Sequence, residues 1–111
     1  MTDRDLLEKA AKAADYDCPP GQAWDDGLTV CADDGWQHWN PLADDGDALR
    51  LANRLRINIE HMRTLAGADF GVNCWPVGRG DCGVSEEDPR DYDAAVRRAI
   101  VRAAAILGDQ Q

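Results

Sequence analysis

Between Asp45 and Met62 the hydrophobic period of this chain changes from helical to extended, which excludes all-α and all-β folds. Ala48, Leu51, Ala52 and Leu55 keep the three-and-four spacing of one helical face, with Leu49 alongside it. Immediately afterwards Ile57, Ile59 and His61 alternate with Asn58, Glu60 and Met62, a period of two that reads as a strand. A helix running directly into a strand requires a mixed architecture. At 111 residues the chain has room for one hydrophobic core, so residues 1–111 are read as a single domain.

The flanking patterns extend this reading. Thr2 as N-cap and Asp5 three residues later predict a helix from about Asp3 to Ala14, with Leu6, Leu7, Ala10 and Ala14 on one face. Pro19, Pro20 and Gly21 forbid its continuation. Strands are expected at Leu28 to Ala32 and at Gly35 to Trp39, the second ended by Asn40-Pro41, and a helix begins near Asp45. The segment DFGVNCWPV is a further strand, and Gly78-Arg79-Gly80 supplies a turn to a short partner near Asp81 to Val84. The final helix takes Asp88 as N-cap, Pro89 at its first position and Gly108 at its C′ end. Tyr92, Ala95, Val96, Ala99, Ile100, Ala103, Ile106 and Leu107 form its apolar stripe. About three helices over a small, mainly antiparallel sheet of three to four strands make an α+β fold, layered as an α-β-α sandwich.

Charge is distributed unevenly. Residues 1–48 carry three basic and twelve acidic side chains, hence the whole net charge of −9, whereas residues 49–111 carry nine of each. No Lys or Arg lies between Lys12 and Arg50, a stretch with nine Asp, so direct nucleic-acid binding there is disfavoured because phosphates need cations. Asp-Asp-Gly occurs at 25–27, 33–35 and 44–46, and Asp bonding to its own nearby backbone makes these solvated turns or caps. The sharper reading is an acidic face that docks on a basic partner protein, with Asp25, Asp26, Asp33, Asp34, Asp44 and Asp45 as its charges and Trp24 and Trp36 as aromatic anchors. Against it stands a packing role for the tryptophans, whose rings add apolar area to a small core.

Patterns that carry catalysis are weak throughout. Cys18, Cys31, Cys74 and Cys82 form no C-x2-4-C pair, and only His38 and His61 could join them around a metal, so no metal site or cofactor is assigned. Buried, unbonded thiols are expected. A Cys-His nucleophile pair drawn from Cys74, Cys82, His38 and His61 is the competing reading, a small enzyme or ligand-binding domain. Ser85 is the only serine, so no serine triad is assigned. The GRGDCG run at 78–83 has the letters of a dinucleotide loop without the helix that must follow, and is read as a hairpin turn. Arg97, Arg98 and Arg102 are read as the solvated face of the last helix, with Asp93 pairing Arg97. The charged, amphipathic N-terminus lacks the apolar core of a secretory signal and no stretch has membrane-spanning length, so a cytoplasmic protein is expected.

WNPLADDGDALRLANRLRI (Trp39 to Ile57), taken with RRAIVRAAAILG (Arg97 to Gly108), resembles the phage ABA-sandwich domain family, small proteins encoded by bacteriophages and prophages. The resemblance implies a layered α-β-α fold and no catalytic activity, cofactor or active-site residue. It suggests a phage accessory protein acting by protein–protein contact in the host bacterium, with inhibition of a basic nucleic-acid-binding or defence protein as its sharpest form.

Overall fold

The computed structural model describes residues 2–17, 27–32, 35–63, 70–78, 83–88 and 90–109. Its elements follow in the order α1 (Asp3–Ala13), β1 (Leu28–Ala32), β2 (Gly35–Trp39), α2 (Asp45–Leu55), β3 (Ile57–Arg63), β4 (Phe70–Pro76), β5 (Val84–Glu87) and α3 (Tyr92–Asp109). The α+β sandwich class expected from the sequence holds, with three helices and antiparallel strands, but the strands number five and form two sheets, β1-β2 and β3-β4-β5, against the single sheet of three to four strands expected.

Local chemistry sets the helix ends. Thr2 and Asp5 close a reciprocal capping box, each side chain bonding the other's backbone N–H at 3.2 Å, so two otherwise orphaned amides are satisfied. At the other end Tyr16 N–H donates to Ala11 C=O and Asp15 N–H to Lys12 C=O, with Asp15 at φ 62°, the left-handed closure usually given to glycine. Asp44 caps α2, its Oδ1 accepting from the Gly46 and Asp47 amides at 2.8 and 3.3 Å. Arg56 then takes the left-handed conformation at φ 56° and turns the chain straight into β3. The change of period after Leu55 is this one-residue junction.

α3 lies at the centre. It packs on β3, β4 and β5 with one side and on α1 and α2 with others. Ala95, Ala99, Ala103, Ala104 and Ala105 are all buried, so this helix is covered over a wider arc than one stripe. Alanine at these positions lets its neighbours approach closely. Gly108 is the extreme case. It does not terminate the helix, which continues to Asp109; a Cβ there would meet the Lys9 carbonyl oxygen of α1 at 2.1 Å. The missing side chain serves the α1–α3 contact, beside which Lys9 pairs with Asp109 at 2.8 Å. The start of α3 also differs from expectation. Asp91, not Asp88, caps it, accepting from the Ala94 amide at 3.0 Å, while Asp88 bonds the Arg90 and Asp91 amides in the preceding turn. Pro89 lies outside the described residues.

The β4–β5 pairing confirms the expected hairpin, but β5 spans Val84–Glu87 instead of residues 81–84. Alternation explains the displacement: Val84 and Glu86 face α3, Val84 within the core and Glu86 against Arg98 and Arg102. Val72 and Cys74 of β4 and Ile57 of β3 occupy the same apolar layer, continuous with Leu7, Leu28, Val30, Trp39 and Leu51. One junction beneath this core is polar. Asp47 is buried and accepts from the Asn40 backbone N–H at 3.0 Å and from Arg50 at 2.6 Å. That bond ties the end of β2 to the start of α2.

Candidate functional site

Two surfaces expose large apolar side chains to solvent. The first is β2. It pairs with β1, whose other edge carries a bridge from Cys31 to Asp17, and among the described residues no strand pairs with the outer edge of β2. Three successive residues, Trp36, Gln37 and His38, are exposed, and Trp36 shows 61% of its surface. This corrects the packing reading for Trp36, since an indole that compensates for a small core must be buried. Trp39 does that instead, at 2% exposure, with its ring edge-on to Tyr16 at 5.7 Å. Arg54 stacks over Tyr16 at 4.9 Å and donates to the Ala14 carbonyl at 2.5 Å, binding the end of α1 to α2.

Of the expected contact residues, Trp24, Asp25, Asp26, Asp33 and Asp34 lie outside the described residues. Asp44 is spent on the α2 cap, which is the turn-and-cap reading of an Asp-Asp-Gly copy. Asp45 is exposed in the first turn and pairs with Arg97 at 2.6 Å, which joins α2 to α3. The Arg97 partner is therefore Asp45 and not Asp93. Arg98 and Arg102 are likewise engaged, with Asp3 and Glu86, rather than simply solvated.

The second surface is a cleft of about 280 Å³ between α2, β3 and α3. Ala48, Leu49, Ile59, Val96 and Ile100 give it apolar walls, and Asp45, Asp93, Arg97, His61 and Tyr92 line it with polar groups. Leu49 leaves 55% of its surface open. At one end His61 Nδ1 lies 2.8 Å from the Tyr92 hydroxyl, which donates to the Gly71 carbonyl at 3.0 Å; the hydroxyl oxygen thus accepts from Nδ1–H, leaving Nε2 directed elsewhere. Desolvation, followed by the neighbouring Cys74, raises the Tyr92 pKa, so the phenol stays a neutral donor at physiological pH. In the sequence these residues lie far apart. The signal was present: Leu49 is a leucine off the α2 stripe, and His61 continues the Ile57–Ile59 face.

Of the two candidate nucleophilic thiols, Cys74 is disfavoured. Cys74 is buried beneath α3 and desolvation pushes its pKa up to about 11, so the nucleophilic thiolate is suppressed. Cys31 and Cys74 are free, and Cys18 and Cys82 lie outside the described residues. Among the described residues no group of three or more His, Cys, Asp or Glu side chains is placed to hold a metal ion, and no helix is long and apolar enough to cross a membrane. Comparison with known proteins yields no matching family model, no curated protein and no solved structure.

Proposed function

We propose that this chain is a non-enzymatic accessory protein of a bacteriophage or prophage that acts in the host cytoplasm by contact with a basic protein. The observation that carries the reading is Trp36, 61% exposed on the outer strand of a two-stranded sheet, within a stretch that has no Lys or Arg from residue 13 to residue 49. An exposed indole costs apolar hydration unless a partner covers it, and Trp is the side chain most enriched at binding hot spots. The acidic charge of this stretch of sequence accelerates encounter with a cationic surface and disfavours other partners. Phage origin rests on the resemblance of Trp39 to Ile57 and Arg97 to Gly108. In the sharpest form, the acidic half occupies the nucleic-acid groove of a host DNA-binding or defence protein.

Affinity capture from bacterial lysate with wild-type protein and Trp36→Ser, each at low and high ionic strength, tests the reading. A basic protein retained at low salt, released at high salt and lost with Trp36→Ser is expected. Capture that ignores both salt and Trp36 would remove it.

A further inference from the structure

We propose that the cleft between α2, β3 and α3 receives one bulky apolar side chain carried on a lysine- or arginine-bearing peptide segment of a partner protein. The inference rests on the protein-contact reading above for the nature of the partner, but it assigns a separate surface, on another part of the fold from β2.

Size sets the first limit. A volume of about 280 Å³ falls just below the ~300–1,000 Å³ that encloses a drug-sized ligand, so a single large side chain matches it better than a whole cofactor. Its walls, Ala48, Leu49, Ile59, Val96 and Ile100, come from three elements that the core already fixes, so the cleft exists before any ligand arrives. Leu49 stands half-open at the mouth, where a helix in water would ordinarily place a polar residue.

Charge selects the neighbours of that side chain. Among the described residues the only cation lining the cleft, Arg97, is committed to Asp45 at 2.6 Å and to the Leu42 carbonyl at 2.9 Å. Asp93 lines the same cleft, is exposed, and has no hydrogen bond or ion pair among the described residues. One carboxylate is therefore left over beside an apolar slot, on a chain of net charge −9. An ammonium or guanidinium adjoining the anchor side chain satisfies it, whereas an acidic segment is repelled. His61, held by Tyr92 through Nδ1, offers Nε2 as an acceptor for a backbone N–H of the segment.

The probes are three synthetic helical peptides: a Lys–Leu amphipathic sequence, its Leu→Ser counterpart and its Lys→Glu counterpart. Each is titrated into uniformly 15N-labelled protein. The Lys–Leu peptide is expected to shift the amides of Leu49, Ile59, His61 and Val96, and the other two are not. Leu49→Ser, a change at a half-exposed position, weakens that binding about tenfold, and Asp93→Asn weakens it about threefold at low salt. Trp36→Ser leaves it unchanged. Equal binding of the Glu peptide, shifts centred on β2, or an unaffected Kd in Leu49→Ser overturns the inference. So do concentration-dependent shifts of the same amides without peptide, which would make a second copy the occupant. Because the peptide assay uses no host protein, a cleft that binds peptide while lysate capture fails would sink the basic-host-partner reading alone, and the reverse would sink the cleft alone.

Discussion

Replacing Gly108 by alanine probes the α1–α3 contact at its narrowest point. In an isolated helix the change stabilises, because alanine loses less backbone entropy, by about 1 kcal/mol. Here the added Cβ would sit 2.1 Å from the Lys9 carbonyl oxygen and 2.8 Å from its carbonyl carbon. Both are backbone atoms of α1 and have no rotamer to escape into. Either the helices separate, loosening contacts at Ala10, Ala11 and Ala104, or the last turn of α3 unwinds and forfeits the Lys9–Asp109 pair. Overpacking of this kind costs about 1–3 kcal/mol, and a backbone clash belongs at the upper end. After the propensity gain is subtracted, a net loss of about 1–2 kcal/mol remains, or a Tm lower by about 4–8 °C for a chain of this size. Gly46→Ala is the control: there the nearest atoms are the ends of the Arg50 and Asp44 side chains, at 3.1 to 3.3 Å, so thermal melts should show no loss. A Gly108→Ala protein that melts at or above the wild-type temperature would refute the close-approach account and restore a terminating role.

Other parts of the fold make separate predictions. Asp15→Gly relieves a non-glycine left-handed residue and removes a negative charge from the α1 C-terminus, and should raise stability by about 1 kcal/mol in urea titrations. Asp47→Ala strips the buried Asn40 amide of its acceptor and should cost about 1–3 kcal/mol, with Asp47→Asn costing less because one oxygen remains. For Cys74 the folded pKa is raised, from 9.0 to about 11, so its contribution to stability is fully present below pH 9.0 and is lost as pH rises through about 11. Urea midpoints measured from pH 8 to pH 11 should fall more steeply for wild type than for Cys74→Ala. For Asp5 the sign is opposite. Its pKa is lowered by the Thr2 backbone and side-chain bonds, so its contribution is present above 3.8 and disappears as pH falls through the lower folded value; Thr2→Ala removes the side-chain bond but keeps the backbone N–H, and should return the Asp5 carboxylate titration only part of the way toward 3.8 by NMR.

Local signals in the sequence carried most of the architecture. The capping box at Thr2 and Asp5, the Asp44 region before α2 and the period change after Leu55 each act within a few residues, and each element appears where those signals place it. What the sequence concealed depends on contacts between distant segments. Gly108 looks like a helix terminator until Lys9 is seen beneath it. Arg97 has a carboxylate four residues earlier, yet it reaches 52 positions back to Asp45 because α2 and α3 are packed side by side. Asp88 before Pro89 reads as the cap of the last helix, and only the Ala94 amide bonding to Asp91 moves the cap three residues on. The candidate surfaces follow the same division. Trp36 was visible as a tryptophan in an acidic stretch, but its exposure is a property of the hairpin. The cleft left only two local hints, Leu49 off the α2 stripe and His61 on the Ile57–Ile59 face, since Leu49, Ile59, His61, Tyr92 and Val96 come together only through the packing of three elements.

The central proposal, that this chain works by offering a preformed surface to another protein, is tested most directly by amide hydrogen exchange with and without a basic protein retained in the lysate capture. Slowed exchange at residues 35–39 of β2, diminished in Trp36→Ser and abolished at high salt, is the predicted result. Protection confined to β4 and β5, or unchanged exchange in β2 at saturating partner, would contradict it.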